Sequence, residues 1–121
     1  MAQTDFDVVG IGNAIVDILA KADDAFLTGN RLNKGAMTLI DSARAEVLYA
    51  AMGPAIECSG GSAANTMAGI ASLGGRAGYI GKISADQLGD VFRHDTRSAG
   101  VTFATPPARS GPATARCLIF V

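Results

Sequence analysis

Residues 55–83 read AIECSGGSAANTMAGIASLGGRAGYIGKI, and this stretch decides the fold. Residues 55–58 and 77–83 are short apolar runs typical of strands. Residues 62–73 between them have helical spacing and end at a glycine pair. The apolar positions of this predicted helix are Ala63, Met67, Ile70 and Leu73. A strand, a helix and a strand in succession indicate a parallel sheet covered by helices.

Further strands are predicted on both sides of this stretch. Residues 6–12, FDVVGIG, have the pattern of a buried strand that leads into a functional turn. Residues 15–20 stay extended and apolar, interrupted only by Asp17. Downstream, residues 101–105 and the run that begins at Arg116 are again typical of strands. The whole pattern predicts an α/β protein.

Two more helices are predicted from their caps. Asp41 or Ser42 can cap a helix that ends at residues 53–54 and whose apolar stripe is Val47, Leu48, Ala51 and Met52. Residues 84–87 form a predicted capping box. The helix after this box ends at Gly100, and its predicted inward side chains are Leu88, Val91, Phe92 and Ala99.

Two segments do not fit a closed alternating domain. Residues 21–59 follow the alternation poorly and form a predicted separate excursion, in which residues 36–40 are expected to be a strand. The chain stops in residues 117–121, an apolar strand-like run without a cap or a polar tail. Such a strand needs neighbours. We therefore expect a truncated chain.

The composition of the 121 residues excludes several classes of function. With 49% hydrophobic and 17% charged residues, one globular domain is expected. A net charge of −1 with scattered Lys and Arg argues against nucleic-acid binding. Cys58 and Cys117 lack the spacing of a zinc site or a disulfide scaffold and are predicted to be buried free thiols. Without a signal peptide or an apolar run of ~20 residues, no membrane contact and a cytoplasmic location are expected.

Two glycine patterns approach nucleotide-binding loops without completing them. Residues 10–12 begin a G-x-G-x-x-G pattern, but Ile15 stands at the third glycine. Residues 76–83 approach G-x-x-x-x-G-K-[ST], but Arg76 replaces the first glycine and Ile83 replaces the Ser or Thr. Neither nucleotide loop is therefore predicted.

Residues 59–65, SGGSAAN, are a sharper candidate for a binding site. Gly60 and Gly61 allow a ligand to approach the backbone, and the following helix start offers free N–H donors. Asn65 can both donate to and accept from a hydroxyl group. The alternative is a tight turn with an ordinary helix cap.

Asp17 is a second candidate, because a lone carboxylate in an apolar run costs several kcal/mol unless it is hydrogen-bonded. A sugar diol is one suitable partner. The alternatives are a salt bridge to Lys21 or Lys34, or a solvated edge position. Asn13 follows the first strand, at the strand end where functional side chains of open α/β sheets gather.

Three motifs together resemble the N-terminal half of the PfkB (ribokinase-like) carbohydrate kinase family. They are GIGNAIVD at 10–17, GGSAAN at 60–65 and GGRAGYIGKISADQLG at 74–89. The resemblance covers nearly the whole chain in the family's order. It implies a three-layer α/β/α core with a small β lid, incomplete in this chain.

The resemblance also implies how the chain is divided. Residues 1–20 and 60–110 would belong to the core, and residues 21–59 and 111–121 would form the lid. The ATP-binding C-terminal part would be absent. Some family members pair through lid strands, so a homodimer through the lid is a further expectation.

For the site, the resemblance implies that Asp17 accepts hydrogen bonds from two sugar hydroxyls and that Asn13, Gly60, Gly61 and Asn65 complete a substrate-binding cradle. The reaction would transfer the γ-phosphoryl group of ATP, with Mg²⁺, to a primary hydroxyl of a sugar or nucleoside. Members commonly respond to a monovalent cation such as K⁺.

The catalytic aspartate of the family lies in a Gly-Ala-Gly-Asp type motif, which residues 1–121 lack. The catalytic base is thus expected beyond residue 121, and this stretch alone is predicted to be inactive. Asp86, Asp90 and Asp95 are predicted to be capping or solvated charges.

Within the family, the spacing of Asn13 and Asp17 and the presence of Ser62 after the double glycine resemble adenosine kinases. Residues 114–117, TARC, loosely resemble a Thr-Gly-Thr-Cys stretch of those enzymes, with Ala115 in place of the glycine. Ribose, fructose or another sugar is the alternative substrate. The alternative function is a non-catalytic module that binds a ligand or dimerises.

Overall fold

The computed structural model describes residues 4–121 as two three-stranded sheets with four helices. In chain order the elements are β1 (Val8–Ile11), β2 (Ile15–Ala20), α1 (Asp24–Gly29), α2 (Ser42–Ala51), β3 (Ala55–Gly60), α3 (Ser62–Ser72), β4 (Ala77–Ile80), α4 (Gln87–Ser98), β5 (Thr102–Phe103) and β6 (Ala115–Phe120). This mixed α/β architecture confirms the predicted fold class.

The first sheet has the strand order β1-β4-β5, and all three strands are parallel. The sequence pattern predicts that the strand at residues 55–58 joins this parallel sheet with β4, but β3 lies in the second sheet, where it pairs antiparallel with β2. Helix α3 packs against β1 and β4. Close contact is possible because Gly10 has no side chain: an added Cβ would lie 2.9 Å from Cγ of Met67. The parallel strands bring the end of β1 next to the start of α3.

The second sheet has the order β3-β2-β6, with β2 antiparallel to β3 and parallel to β6. Residues 15–20 therefore pair in this sheet and not beside β1. The physical reason is that β2 buries Val16 and Ile18 completely against the helix side of this sheet. Asp17, between them, faces the other side.

The hydrophobic core joins the two sheets. Its centre is an aromatic cluster in which the ring centroids of Phe92 and Phe103 are 5.4 Å apart and Tyr79 lies 5.8 Å from each. Helix α4, which carries Phe92, contacts β2 and β3 as well as β5. Helix α4 thus packs against both sheets.

Two expectations for residues 21–59 are wrong. Residues 36–40 form no strand, because Met37 and Leu39 are 81% and 88% exposed and no neighbouring strand pairs with them. Helix α2 begins after the predicted cap, Asp41, but it buries Ala45 and Leu48 and leaves Val47 of the predicted stripe 57% exposed.

The predicted capping box at residues 84–87 is also wrong in detail. The N-cap of α4 is Asp86, whose Oδ1 accepts from the Gly89 amide at 2.8 Å, whereas Ser84 pairs with Ala108. The predicted stop at Gly100 is confirmed by its φ of +88°. Ala99 is exposed and does not face the core.

Asp86 also ties α4 to the start of β6. Its Oδ2 accepts from the Thr114 amide at 2.9 Å, and its Oδ1 accepts from the Thr114 hydroxyl at 2.6 Å. Partial burial opposes ionisation, but these bonds, the Gly89 amide and the charge of Lys82 outweigh it and lower the pKa of Asp86. The ionised carboxylate is therefore the form that holds this junction.

We expect Asp86→Ala to destabilise the fold by about 1–2 kcal/mol at neutral pH, as for loss of a helix N-cap. Since the folded-state pKa is lowered, the contribution of Asp86 is complete above the ordinary value of 3.8 and is lost as the pH falls through the lowered value. Urea unfolding at several pH values checks this, with exposed Asp90→Ala as the control. If the difference in free energy of unfolding between the wild type and Asp86→Ala grows as the pH falls, this prediction is contradicted.

No helix within residues 4–121 is long and apolar enough to cross a membrane.

Candidate functional site

The candidate site lies where β1 turns into β2 and where β3 meets α3. Asp17 occupies the middle of β2, directly opposite Cys58 of β3 on one side and Cys117 of β6 on the other. Residues paired in this way share a face of the sheet. The carboxylate is half-buried on the face opposite the hydrophobic core.

The Asp17 carboxylate lies directly over Gly60. An added Cβ at Gly60 would be 2.5 Å from Oδ2 and 2.6 Å from Oδ1 of Asp17. No side chain can occupy that position without displacing the carboxylate. The absence of a side chain at Gly60 therefore lets the carboxylate lie in this position, and the structure brings together two of the predicted site residues, Asp17 and Gly60.

Gly61 joins the turn between β1 and β2 to the same place. Its φ of +91° is strained for other residues, and an added Cβ would lie 2.8 Å from the backbone oxygen of Asn13. The Gly61 carbonyl accepts a hydrogen bond from the backbone N–H of Asn65 at 2.9 Å. The side chains of Asn13 and Asn65 are exposed. Asp17, Gly60, Gly61 and the Asn13 backbone are thus in contact, and Asn65 lies in the first turn of α3 after them.

The structural alternatives for Asp17 are not realised. Lys34 pairs with Asp24 at 2.9 Å, and β2 is the central strand of its sheet, not an edge. The other ion pairs within residues 4–121 are Arg76–Asp7 and Arg116–Glu46. None of the hydrogen bonds formed in this part of the chain ends on the Asp17 carboxylate. The carboxylate retains its full capacity to accept from a ligand.

The two thiols beside Asp17 were not foreseen as neighbours of the site. Cys58 is half-buried and Cys117 is exposed, so the prediction that both are buried is wrong. Partial shielding of each sulfur from water raises the pKa of both thiols, and the negative charge of Asp17 adds to the effect. They therefore stay protonated near neutral pH and give the face around Asp17 an uncharged border. No signal in the sequence indicates this neighbourhood, because it depends on the register of β2 with β3 and β6.

The three helix-borne aspartates have different roles. Asp86 caps α4 and Asp90 is exposed, as predicted. Asp95 differs from the prediction, because its Oδ2 accepts from the backbone amide of Ser59 at 2.9 Å. Ser59 immediately precedes the double glycine. Asp95 is thus neither a cap nor a solvated charge but a contact between α4 and the site.

The hydrogen-bonding groups of the site suit a ligand with hydroxyl groups better than a metal ion or a phosphate. Residues 4–121 contain no group of three His, Cys, Asp or Glu side chains that could hold a metal ion. One free carboxylate, two exposed amide side chains and a turn of positive φ can together receive a polyhydroxylated ring.

Comparison with known proteins places this geometry in a family. The pattern of the pfkB family of carbohydrate kinases matches residues 57–121. Among curated proteins, a fructokinase of Klebsiella pneumoniae is 35% identical over 60 residues, which is 50% of this chain and 20% of that protein.

Two solved structures superpose on nearly all of the chain. An adenosine kinase from Sinorhizobium meliloti is 60% identical, with a TM-score of 0.84. A probable sugar kinase from Rhizobium etli CFN 42 is 57% identical, also with a TM-score of 0.84. Each alignment covers 98% of this chain but 36% of the other, so the chain spans about a third of their length. The strand order, the double-glycine turn and these matches lead to one conclusion: the chain belongs to the pfkB family of carbohydrate kinases.

Proposed function

We propose that this chain supplies the acceptor site and lid of an adenosine kinase-like enzyme, which phosphorylates a primary hydroxyl of a nucleoside with ATP. The observation that carries the proposal is the Asp17 carboxylate, which lies against Gly60 and receives no hydrogen bond from residues 4–121. A half-buried carboxylate in this state favours a ligand that donates two hydrogen bonds.

In the proposed complex, Asp17 accepts from two ring hydroxyls of the acceptor. Asn13 and Asn65 complete the cradle with groups that donate and accept, and Gly60 and Gly61 let the ring approach the backbone. These contacts would hold the ring in one orientation for transfer to its primary hydroxyl. The contribution of these residues is positioning, which dominates catalysis of phosphoryl transfer.

We assign the second sheet, with residues 21–59 and 111–121, to the lid. Its face around Asp17 is bordered by protonated thiols and apolar strand residues. Closure of this face over the acceptor would exclude water and limit wasteful hydrolysis of ATP. The homodimer through the lid stays a prediction.

Residues 4–121 do not fit Mg²⁺ or the phosphates of ATP. Residues 4–121 lack a metal-ligating cluster, and the two glycine patterns lack the residues that complete a phosphate loop. We therefore propose that the ATP groove, Mg²⁺, the catalytic base and any K⁺ site are provided outside residues 1–121.

Adenosine is the proposed acceptor, because the relative with 60% identity is an adenosine kinase. Ribose and fructose remain the alternatives, the latter because the curated relatives are fructokinases. The test is an ADP-release assay of the full-length gene product with adenosine, ribose and fructose, followed by identification of the phosphorylated product. Adenosine is expected to give the highest kcat/KM. Preference for a free sugar would overturn the proposed acceptor, and no turnover with any of them would overturn the kinase function.

Residues 1–121 alone are expected to release no ADP above background with ATP and adenosine, because they lack the catalytic base. The control is the full-length gene product under the same conditions. Turnover by the 121-residue chain at the rate of an ordinary kinase would show that the base lies within it.

A further inference from the structure

Asp95 makes an unusual contact for a helix carboxylate, since it reaches a strand 36 positions earlier in the sequence. Its Oδ2 accepts from the Ser59 amide at 2.9 Å, in a partly buried setting. Because β3 is an outer strand of the second sheet, alternate amides of β3 point away from β2, and the Ser59 amide uses this direction to bond to α4. The carboxylate thus holds the outer edge of β3 with a charge-assisted bond.

The position of Ser59 makes this bond relevant to the site. The next residue, Gly60, packs its backbone against the Asp17 carboxylate, and Gly61 packs against the Asn13 carbonyl. At both glycines the neighbouring atoms lie too close for an added methyl group, at 2.5–2.8 Å from the Cβ position. A small displacement of Ser59 is therefore passed to the cradle and not absorbed by free space.

The helix that carries Asp95 is well fixed. Phe92, one turn earlier, is completely buried in the aromatic core, and α4 contacts both sheets. Asp95 and Asp17 also approach Cys58 from different elements, and both charges act on its thiol. The double-glycine turn thus lies between the Ser59 amide, which is bonded to α4, and the Asp17 carboxylate.

We propose that Asp95 is a positioning residue for acceptor binding, which acts through the Ser59 amide on the double-glycine turn. The inference rests on the proposed function, since it assigns the turn to the acceptor site. It does not make Asp95 a catalytic residue, because Asp95 contacts backbone and not the acceptor.

The test uses Asp95→Ala and Asp95→Asn in the full-length gene product, with Asp90→Ala as a matched control on the exposed face of α4. Asp95→Ala removes one charge-assisted hydrogen bond and is expected to raise KM for adenosine by about ten- to a hundredfold. The KM for ATP should change much less. Asp95→Asn keeps an acceptor oxygen and is expected to recover most of the loss.

The inference is overturned if Asp95→Ala matches Asp90→Ala in KM for adenosine, or if both KM values rise together in proportion to lost thermal stability. Should Asp95→Ala fail to fold, Asp95→Glu keeps the charge but displaces the acceptor oxygen. A wild-type KM for Asp95→Glu would then overturn the inference. Asp17→Ala separates this inference from the assignment of the acceptor site: if Asp17→Ala remains fully active, the acceptor does not bind at Asp17 and the double-glycine turn, whatever Asp95 does.

Discussion

Replacement of Asp17 by alanine is expected to lower kcat/KM for adenosine by about a hundred- to ten-thousandfold. Two charge-assisted hydrogen bonds are removed, each contributing about 1.5–3 kcal/mol, and about 1.4 kcal/mol corresponds to a tenfold change. The fold should tolerate the change, because Asp17 makes no ion pair or hydrogen bond with residues 4–121. Steady-state kinetics and thermal unfolding of the full-length gene product check both parts.

Asp90→Ala is the matched control for Asp17→Ala, since it also removes one carboxylate but lies exposed on α4. Its kcat/KM should equal that of the wild type. Unchanged kcat/KM for Asp17→Ala would show that the carboxylate does not contact the acceptor. A large loss of thermal stability in Asp17→Ala would show instead that Asp17 has a structural role.

Gly60→Ala is expected to reduce kcat/KM for adenosine by about a hundredfold, through loss of one or both acceptor hydrogen bonds. The added methyl group would occupy the space of the Asp17 carboxylate, which lies 2.5–2.6 Å from the Cβ position. The carboxylate is the mobile partner and would rotate away. The effect should therefore fall mainly on acceptor binding, measured as KM or as the Kd for adenosine.

The control for Gly60→Ala is Gly69→Ala on α3, where nothing lies within 4 Å of the added Cβ. Alanine in a helix interior should stabilise the protein by about 0.4–1 kcal/mol and leave acceptor binding unchanged. Wild-type affinity for adenosine in Gly60→Ala would mean that the close contact between Gly60 and Asp17 has no part in binding.

Most helices and strands of this fold could be predicted from the sequence, because the patterns that indicate them lie within short windows of the chain. The helical spacing and glycine stop of α3 and the extended runs of β2, β3 and β6 all lie within short windows. Residues 36–40 show the limit of such windows: a β-type run forms a strand only if another strand pairs with it. The cap of α4 shows the same limit: Ser84 and Asp86 both have side chains that can cap a helix, and the local sequence does not decide between them.

Contacts between distant segments could not be read from the sequence. The pairing of β2 with β3 and β6 depends on register, and this pairing places Cys58 and Cys117 beside Asp17. The bond from Ser59 to Asp95 has no motif at all. By contrast, Asp17 and the double glycine are predictable from the sequence, because a carboxylate in an apolar strand needs a hydrogen-bond donor and paired glycines before a helix leave the backbone open to a ligand.

The central claim is that Asp17 accepts hydrogen bonds from the acceptor's ring hydroxyls, and a double-mutant cycle tests it most directly. The Kd values of adenosine, 2′-deoxyadenosine and 3′-deoxyadenosine are measured for the wild type and for Asp17→Ala. We expect loss of either hydroxyl to weaken binding to the wild type by about tenfold or more and to have almost no effect on Asp17→Ala. Equal losses in the two proteins would contradict the account.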